Sequence, residues 1–365
     1  MAYSIPYTLG MDKWEIDTPA LLLDLEVMES NISEMARFFK STSAGLRPHI
    51  KNHMSPLIAH KQMDAGAVGI CCQTIREAEI MAYSGINDIL LTNEIVGSSK
   101  IERLLNLTGH AHVMAVVDSP GNVEEFSAAA QRKGMTLDVL IDLDTGYDRC
   151  GVLPGKPALE LAKKIVGSRG LHFKGINGYT PMNEEQDPVK KVEAQKARLK
   201  KDIDTRDLLE SNGIEVEIVS AGCTKDYYIS AVYQGITEVQ LGTYIYMDVS
   251  HAGLMGTTPA DLRYALTVLT TVISKPTEDR LIVDAGNKAI ARENSVFKDV
   301  SGLRLYRLSA EQGRVRVTNP SRQIEIGDKL ELIPSYGDGT VNRWNKYFGI
   351  RKDKLDTIIP IYHHD

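Results

Sequence analysis

The chain has 365 residues, of which 43% are hydrophobic and 25% are charged, and its formal net charge is -6. This composition is typical of a globular protein with a sizeable core, and the length predicts one large barrel plus a smaller module, or two medium domains. The negative net charge leaves no basic surface for nucleic acid, so we expect no nucleic-acid partner.

The first two thirds of the chain alternate short apolar runs with helical stretches. Residues 19–24 predict a buried strand, and the amphipathic stretch 26–40 predicts the helix that follows it. Residues 45–50 predict a second strand, which ends at Lys51 and precedes a helix over 55–65. Further apolar runs, each separated from the next by a helical stretch, cover residues 68–72, 88–92, 113–117, 137–143, 173–177, 215–220 and 238–241.

This alternation predicts β/α units and an α/β fold with a parallel sheet. The nine runs are close to the eight strands of a closed (β/α)8 TIM-type barrel, so we expect one of them to lie outside it. A doubly wound open sheet is the alternative. Two features favour the barrel: no GxGxxG opens the first unit, and polar residues crowd the C-terminal ends of many different strands.

The pattern changes after about Pro259, where turns but no helix of barrel length separate the apolar runs. We therefore predict a barrel domain over residues 19–258 and an all-β domain over residues 259–365. Residues 1–18 fit no β/α unit, and we expect them to attach to the β domain. The strand-like runs of this domain cover residues 262–274, 281–284, 303–308, 315–318 and 329–333.

The sequence shows neither a membrane span nor a secretion signal. No run approaches the roughly 18 apolar residues of a spanning helix, and the N-terminus has neither a cationic start nor an apolar core. We therefore expect a cytoplasmic protein with no membrane partner. The cysteines have no CxxC spacing, which argues against a zinc knuckle or a disulfide framework and predicts reduced thiols. They are Cys71, Cys72, Cys150 and Cys223.

Residues 47–53, Arg-Pro-His-Ile-Lys-Asn-His, contain the first candidate for chemistry. Lys51 ends a predicted strand and stands between His49 and His53. A carbonyl cofactor needs an amine that is held rigidly beside groups that handle protons, so the stretch has the pattern of a Schiff-base lysine. The alternative from these residues alone is an ordinary surface lysine at the end of a strand.

Seven short motifs stand in one order along most of the chain. They are Asp17-Thr-Pro-Ala-Leu, Arg47-Pro-His-Ile-Lys, Glu77-Ala-Glu, Asp88-Ile-Leu-Leu, Asp144-Thr-Gly-Tyr-Asp-Arg-Cys-Gly-Val, Gly242-Thr-Tyr-Ile-Tyr-Met-Asp and Asp284-Ala-Gly. This ordered set resembles the D-threonine aldolase and eukaryotic-type D-serine dehydratase family, which is related by fold to alanine racemase. The resemblance implies a fold-type III pyridoxal-phosphate enzyme, in which a barrel is joined to a C-terminal β domain.

The resemblance also implies roles for the residues around the candidate lysine. Lys51 matches the lysine that forms a Schiff base with pyridoxal 5'-phosphate. His49 and His53 would orient cofactor oxygens or move protons, since imidazole titrates near working pH. For each histidine the alternative is a structural hydrogen bond near the rim of the barrel.

Two residues farther along the chain match positions close to the cofactor in the family. Arg149 matches an arginine that would keep the lysine and the cofactor phenolate in the right charge state, and its alternative is an ion pair with Asp142 or Asp144. Tyr179 should face the cofactor ring. The family has His-Gly after this tyrosine, whereas this chain has Thr-Pro at residues 180–181.

Two loops after the last barrel strands are expected to bind the cofactor phosphate, because backbone N–H groups and hydroxyls bind phosphate and small residues allow close approach. The family has a more glycine-rich first loop, and this chain departs from it at Cys223. We expect the departure to be tolerated, because a backbone N–H can bind phosphate whatever side chain the residue carries. The residues expected to bind the phosphate are Gly222, Cys223 and Thr224 in the first loop, and Gly242, Thr243 and Tyr244 in the second.

A departure near the C-terminus concerns a metal. The family carries two side chains that hold a divalent ion beside the cofactor, where it polarises the β-hydroxyl of the substrate. Here Tyr336 stands at the histidine position and Asp338 at the second ligand position. Phenolate is an uncommon ligand for Mg²⁺ or Mn²⁺, so the divalent metal (Mg, Mn or Zn) is either absent or held by Asp338 with help from the substrate. Alternatively, Tyr336 acts directly as acid or base, and Asp338 tunes it.

The activity that the resemblance implies is cleavage of the Cα–Cβ bond of a D-configured β-hydroxy-α-amino acid, as in D-threonine aldolase or 3-hydroxy-D-aspartate aldolase. Dehydration of D-serine or D-3-hydroxyaspartate is the first alternative, and racemisation or epimerisation is the second. A non-catalytic cofactor carrier is a third, against which the β domain argues. The expected partners are a small D-amino-acid substrate and a second copy of the chain in a head-to-tail homodimer.

Overall fold

The computed structural model describes residues 7–179, 181, 185, 187–255 and 260–363. Within these residues no helix has both the length and the apolar character that crossing a membrane requires. The chain forms two sheets, one entirely parallel and one mixed. Both are built largely from the short apolar runs of the sequence.

The strands follow the order of the chain. They are β1 (Ala20–Asp24), β2 (Gly45–Pro48), β3 (Ile70–Cys72), β4 (Asp88–Leu91), β5 (His112–Val117), β6 (Leu137–Asp142), β7 (Leu171–Gly178), β8 (Ile218–Ala221), β9 (Glu238–Leu241), β10 (Leu266–Thr277), β11 (Arg280–Val283), β12 (Val296–Phe297), β13 (Leu303–Leu308), β14 (Gly313–Val317), β15 (Lys329–Ile333), β16 (Lys346–Arg351) and β17 (Lys354–Pro360).

Helices separate the strands of the parallel sheet. The α-helices are α1 (Leu25–Phe39), α2 (Pro56–Asp64), α3 (Ile75–Tyr83), α4 (Ser98–Leu107), α5 (Pro120–Lys133), α6 (Lys156–Val166), α7 (Pro188–Ser211), α8 (Tyr227–Ser230), α9 (Val249–Met255) and α10 (Gly337–Val341). Short 3₁₀ turns are formed by Lys13–Glu15, Ile50–Asn52 and Thr243–Ile245. The last two turns follow β2 and β9 directly, at the end of the sheet where a barrel builds its site.

The parallel sheet is a nearly closed barrel in the order β2-β9-β8-β7-β6-β5-β4-β3. A single parallel bridge between His49 and Cys71 joins its two ends. Alternate residues of the strands form a separate buried cluster, which we assign to the barrel interior, while their neighbours pack in the main core with the helices. The members of this interior cluster are Cys71, Leu90, Met114, Val116 and Leu140. The predicted (β/α)8 barrel is confirmed.

The run at residues 19–24 forms a strand, but that strand does not belong to the barrel. β1 pairs antiparallel with β10 and parallel with β16, both in the mixed sheet. This strand is the one surplus run among the nine that the sequence suggests. Helix α1 begins immediately afterwards, and the Asp24 carboxylate accepts a hydrogen bond from Val27 N–H at 3.0 Å. One apolar run therefore connects the two sheets.

The mixed sheet runs β13-β14-β11-β10-β1-β16-β17, with β15 and β12 attached at β10. Residues near the N-terminus pack on it: Gly10 and Met11 exchange backbone hydrogen bonds with Leu355, and Lys13 pairs with the buried Glu331 at 2.6 Å. The predicted boundary at 258–259 lies outside the described residues. The division into domains at that point stays a prediction.

Candidate active site

Lys51 lies in the 3₁₀ turn that follows β2. The turn begins at His49, whose Nδ1 accepts a hydrogen bond from the Lys51 backbone N–H at 3.4 Å. Ending the strand here places the lysine beyond the last strand pairing, between the barrel and the mixed sheet. The side chain of Lys51 lines a cavity of about 620 Å³.

Ten of the thirteen site residues predicted from the sequence line this cavity. Six come from the barrel loops after β2, β6, β7 and β8: His49, Lys51, Arg149, Tyr179, Cys223 and Thr224. Four come from the turn after β9 and from the segment that leads into α10: Gly242, Thr243, Tyr336 and Asp338. Residues from distant parts of the chain thus meet around one lysine amine.

Three predicted residues do not line the cavity. His53 is fully buried, its Nδ1 accepts from Ser55 N–H at 3.1 Å, and its Nε2 lies 3.1 Å from the Gln62 side-chain oxygen. Burial lowers the pKa of His53 to about 4, so the ring is neutral. The Tyr244 hydroxyl accepts from Gln62 at 2.9 Å, away from the cavity. These two rings belong to the packing between the barrel and α2.

Gly222 shapes the first phosphate loop without lining the cavity. Its φ is +76°, and a Cβ there would lie 2.8 Å from both Ser230 and Val239. Only glycine adopts this backbone conformation without strain and also fits the space. Gly222 therefore allows the sharp turn that brings Cys223 and Thr224 to the cavity.

His49 is held as a neutral ring. Its Nδ1 accepts the Lys51 N–H, so its proton is on Nε2, which donates to the Gln73 side-chain oxygen at 3.0 Å. Thr92 also lies 3.2 Å from Nε2. Burial, and next the nearby Lys51, lower the pKa of His49 well below its usual range. His49 can therefore position the lysine turn but is a poor acceptor for a further proton.

Arg149 stacks on aromatic rings instead of pairing with Asp142 or Asp144. Its guanidinium carbon lies 4.9 Å from the centre of the Tyr179 ring and 5.5 Å from that of Tyr147. Among the described residues its guanidinium forms no ion pair with either aspartate, although the charge of Asp142 still acts on it. Lys51 Nζ lies 5.9 Å from the centre of the same Tyr179 ring, so this ring neighbours both the lysine and the arginine. Burial raises the pKa of Tyr179, which keeps its phenol neutral.

Tyr336 and Asp338 lie in one wall of the cavity. Asp338 accepts hydrogen bonds from the Asn52 side-chain amide and from the Tyr246 hydroxyl, the latter at 3.3 Å. Burial raises the pKa of Asp338, although Lys51 acts in the opposite direction. The Arg292 guanidinium covers the Tyr336 ring at 4.5 Å. Burial, and next Asp338, raise the pKa of Tyr336, so its phenol stays protonated.

This pair does not fit a divalent metal. One Asp338 oxygen already accepts from two donors, and a protonated phenol that carries an arginine on its face is not a ligand for Mg²⁺ or Mn²⁺. A different group of donor atoms, from Glu94, Asp142 and Cys150, lies within 4.8 Å of one another. Of this second group only Asp142 is buried, and none of its members is a predicted ligand.

A buried polar chain crosses the barrel beneath the cavity. Asn177 donates to Asp142, Gln240 donates to Asn177 at 2.5 Å, and the same Gln240 amide donates to Ser220 at 2.8 Å. Gln240 also lines the cavity, so this chain ties the floor of the site to four neighbouring strands. Burial, and next the neighbouring Glu94, raise the pKa of Asp142 to about 7, against the effect of Asn177.

The raised pKa of Asp142 predicts an unusual dependence of stability on pH. Between about pH 4 and 7 the folded state holds a proton on Asp142 that the unfolded state has lost, so the free energy of unfolding falls as pH rises through this window. Replacing Asp142 with asparagine removes the titrating group. We expect D142N to gain on the order of 3 kcal/mol relative to the wild type between pH 5 and pH 8.

Urea unfolding at several pH values, in buffer with chelator, measures this difference. An equal stability change at pH 5 and pH 8 would contradict the assignment of the buried proton to Asp142. Asp279 offers a matched control, because its pKa is lowered rather than raised and it is exposed. D279N should show no gain with rising pH.

Several residues that line the cavity were not predicted from the sequence. Asn52 lies inside the stretch already singled out, and His251 follows Asp248 by three residues, a spacing that places both on one helical turn. Arg292 had no signal, because it lies in an irregular segment before β12. The missed residues used below are Asn52, Arg198, Lys225, His251 and Arg292.

The donor set fits a phosphorylated carbonyl cofactor. Lys51 offers an amine for covalent attachment, and Thr224 and Thr243 offer hydroxyls. Among the described residues that line the cavity, five carry a positive charge and Asp338 is the one carboxylate. The five are Lys51, Arg149, Arg198, Lys225 and Arg292. A cavity with this excess of positive charge suits a phosphate and the carboxylate of an amino acid.

Comparisons with known proteins identify the family of the chain. Residues 23–250 match the family model "Alanine racemase, N-terminal domain", and residues 265–350 match "Putative serine dehydratase domain". A 3-hydroxy-D-aspartate aldolase of Paracoccus denitrificans (strain Pd 1222) is 34% identical, over 99% of this chain and 95% of that protein. A D-threonine aldolase of Arthrobacter sp is also 34% identical, over 95% of this chain and 92% of that protein.

The fold agrees equally closely. The crystal structure of D-threonine aldolase from Filomicrobium marinum superimposes with a TM-score of 0.94, at 33% identity and over 98% of both chains. The resemblance, the barrel with its β domain and the pyridoxal-phosphate chemistry that the sequence predicts are confirmed. The chain belongs to the family of pyridoxal-phosphate-dependent lyases that includes 3-hydroxy-D-aspartate aldolase and D-threonine aldolase.

Proposed function

We propose that the protein cleaves the Cα–Cβ bond of a D-configured β-hydroxy-α-amino acid and releases glycine and an aldehyde. The observation that carries the proposal is the amine of Lys51 in a cavity that also contains Tyr336 and Asp338. An amine for the cofactor and polar groups for a hydroxyl are the two requirements of this reaction.

Lys51 holds the cofactor covalently in this proposal. The backbone and hydroxyls of Cys223, Thr224, Gly242 and Thr243 hold its phosphate, in the two loops that follow β8 and β9. When bound, the cofactor supplies an electron sink for the α-carbon of the substrate.

Tyr179, stacked beneath Arg149, forms a wall that orients the cofactor ring and limits the approach of water. The stacking of Arg149 on Tyr179 also has an electrostatic effect. The guanidinium places a fixed positive charge on the same neutral Tyr179 ring that Lys51 approaches.

The charge of the cavity favours a substrate with two carboxylates. Within the described residues, Arg198, Lys225 and Arg292 line the cavity without forming an ion pair with a carboxylate. A phosphate and one α-carboxylate leave part of this positive charge unbalanced. We therefore propose a β-hydroxyaspartate-type substrate and assign its second carboxylate to Arg292, which is exposed at the edge of the cavity beside Tyr336.

Product analysis tests the reaction. The purified holoenzyme is incubated with D-threonine, D-serine and both diastereomers of D-3-hydroxyaspartate, with and without chelator. We expect glycine together with acetaldehyde from D-threonine and with glyoxylate from 3-hydroxyaspartate, the latter substrate being preferred. Formation of a keto acid and ammonia instead would overturn the proposal in favour of elimination.

Replacing Arg292 with glutamine tests the assignment of the second carboxylate. Loss of one charged hydrogen bond predicts a roughly 10- to 100-fold decrease in kcat/KM for D-3-hydroxyaspartate. D-Threonine carries a methyl group at that end, so its kcat/KM should change less than about threefold. R304Q, in the exposed part of β13, is the matched control. An equal loss of kcat/KM for both substrates would show that Arg292 does not bind the second carboxylate.

Dehydration is the second candidate, and one observation favours it. The protonated phenol of Tyr336 is a proton donor in the cavity, and a departing hydroxide needs one. The same product analysis separates the two reactions, because elimination yields ammonia and cleavage does not.

We also propose a head-to-tail homodimer in the cytoplasm. The four cysteines are free thiols, which suits a reducing compartment. Tyr147 and Arg292 are exposed at the edge of the cavity, where a second subunit could cover them. Light scattering should give twice the chain mass of 40.4 kDa. A monomer would contradict the proposal.

A further inference from the structure

We propose that His251, held by Asp248, is the catalytic residue that accepts the proton of the substrate's β-hydroxyl. This inference rests on the proposed function, since a β-hydroxyl proton must leave before the Cα–Cβ bond can break toward an aldehyde. His251 lines the cavity, and neither the sequence analysis nor the two metal-position residues account for it.

The Asp248 carboxylate fixes the orientation of the imidazole. One oxygen of Asp248 accepts from the His251 backbone N–H and from His251 Nδ1, each at 2.8 Å. Asp248 is completely buried, whereas the His251 side chain keeps about a fifth of its surface exposed. Because Nδ1 carries the ring proton and donates a hydrogen bond to Asp248, Nε2 carries the lone pair. The ring is therefore held as the tautomer that a general base requires.

Asp248 also joins this histidine to the wall that contains Tyr336 and Asp338. Its second oxygen accepts from Gly337 N–H at 2.9 Å, between those two residues. Backbone bonds from Val249 and Ser250 to Pro334 and Ser335 fix α9 on the same segment. The imidazole is thus attached to the part of the cavity where the β-hydroxyl is expected.

The other ring nitrogen, Nε2, points toward the lysine turn. His251 Nε2 lies 3.2 Å from the Thr243 hydroxyl, and that hydroxyl lies 3.1 Å from the side-chain amide of Asn52. Asn52 is the residue next to Lys51. The Thr243 hydroxyl, which donates to Nε2, marks the direction from which Nε2 accepts a proton.

The other basic groups of the cavity are less suited to this step. His49 Nδ1 already accepts the Lys51 N–H, and burial lowers the pKa of His49 well below its usual range. Tyr336 keeps its proton because its pKa is raised. One oxygen of Asp338 accepts from both Asn52 and Tyr246, whereas among the described residues His251 Nε2 has one neighbouring donor, the Thr243 hydroxyl, which can rotate away.

The proton and electron balance of the step needs no further reactant. The β-hydroxyl proton moves to His251 Nε2, and the oxygen electrons form the carbonyl of the aldehyde. The Cα–Cβ bond breaks, and its electron pair stays on the α-carbon, which later takes a proton to complete glycine. Asp248 stabilises the imidazolium in the meantime. The imidazolium then returns its proton to solvent.

His251→Asn tests the proposal, because asparagine keeps a polar side chain of similar reach without a base. We expect kcat/KM for aldol cleavage to fall roughly 100- to 1,000-fold and to recover in part when imidazole is added. Exchange of the α-proton of glycine in D₂O involves no β-hydroxyl, so it should fall less than about threefold. His172→Asn, at an exposed histidine far from the cavity, is the control and should leave both rates unchanged.

A binding measurement separates this role from a structural one. Cofactor titrated into the cofactor-free protein should bind His251→Asn within about twofold of the wild type. Loss of cofactor affinity or of glycine exchange in parallel with cleavage would overturn the proposal, as would full cleavage activity of the variant. If the asparagine variant does not fold, His251→Gln is scored in the same way.

The wild-type control separates failure of this inference from failure of the proposed function. A wild type that forms no aldehyde contradicts aldol cleavage itself. A wild type that forms aldehyde, together with a fully active His251 variant, contradicts the role of His251 alone.

Discussion

Replacing Lys51 with alanine should abolish covalent attachment of the cofactor and lower cleavage at least roughly 1,000-fold. The amine lies in the turn after β2, faces the cavity and stands between the Tyr179 ring and the Asp338 carboxylate. No alanine side chain can supply the nucleophile. The absorbance spectrum of the purified protein measures attachment directly, since the visible band of the lysine-bound cofactor should be absent from K51A.

Lys225 provides the matched control, because it is a second lysine that lines the same cavity. K225A should keep the visible band even if its affinity for anions falls. A K51A protein that keeps the band, or a K225A protein that loses it, would move the attachment site from the first lysine to the second.

The barrel was predictable from the sequence because each of its strands is a short apolar run with both faces buried. An apolar run does not indicate which other strand it pairs with. Residues 21–23 are as apolar and as buried as any barrel strand, yet β1 pairs with β10 and β16. Pairing depends on contacts more than 200 residues apart, which local patterns do not contain.

The strands at the end of the chain were missed for a local reason. β16 begins and ends with a basic residue and contains Gly349, and β17 begins with Lys354, contains Asp356 and ends at Pro360. Glycine and charge weaken the strand signal, and the structure compensates by pairing these two strands with each other and with β1.

The site residues that could be predicted are those marked by their sequence neighbours or by a family motif. Lys51 stands out through its own neighbours, and Tyr336 and Asp338 through a family motif. His251 did not, because its partner Asp248 ends a motif that already had another interpretation. Arg292 contacts Tyr336 across 44 positions of sequence, and only the folded chain brings them together.

Replacing Gly242 with alanine should destabilise the protein, because the added methyl group collides with Asn52 beside the cavity. A Cβ at Gly242 would lie 1.6 Å from the side-chain oxygen of Asn52, which is 2% exposed. Asn52 cannot move aside without losing its hydrogen bonds to Thr243 and Asp338. Overpacking of this kind, together with the broken hydrogen bonds, predicts a loss of about 3 kcal/mol in the free energy of unfolding.

The same displacement should also weaken cofactor binding, because Asn52 adjoins Lys51 and Thr243 belongs to the second phosphate loop. Gly121→Ala is the matched control: it lies in α5 with no atom within 4 Å of the added Cβ, so its stability should equal or slightly exceed that of the wild type. Thermal unfolding and cofactor titration of the two variants measure both effects. The added Cβ requires either the lysine turn or the second phosphate loop to shift. If G242A keeps the stability and the cofactor affinity of the wild type, the Asn52 hydrogen bonds do not hold these two elements together.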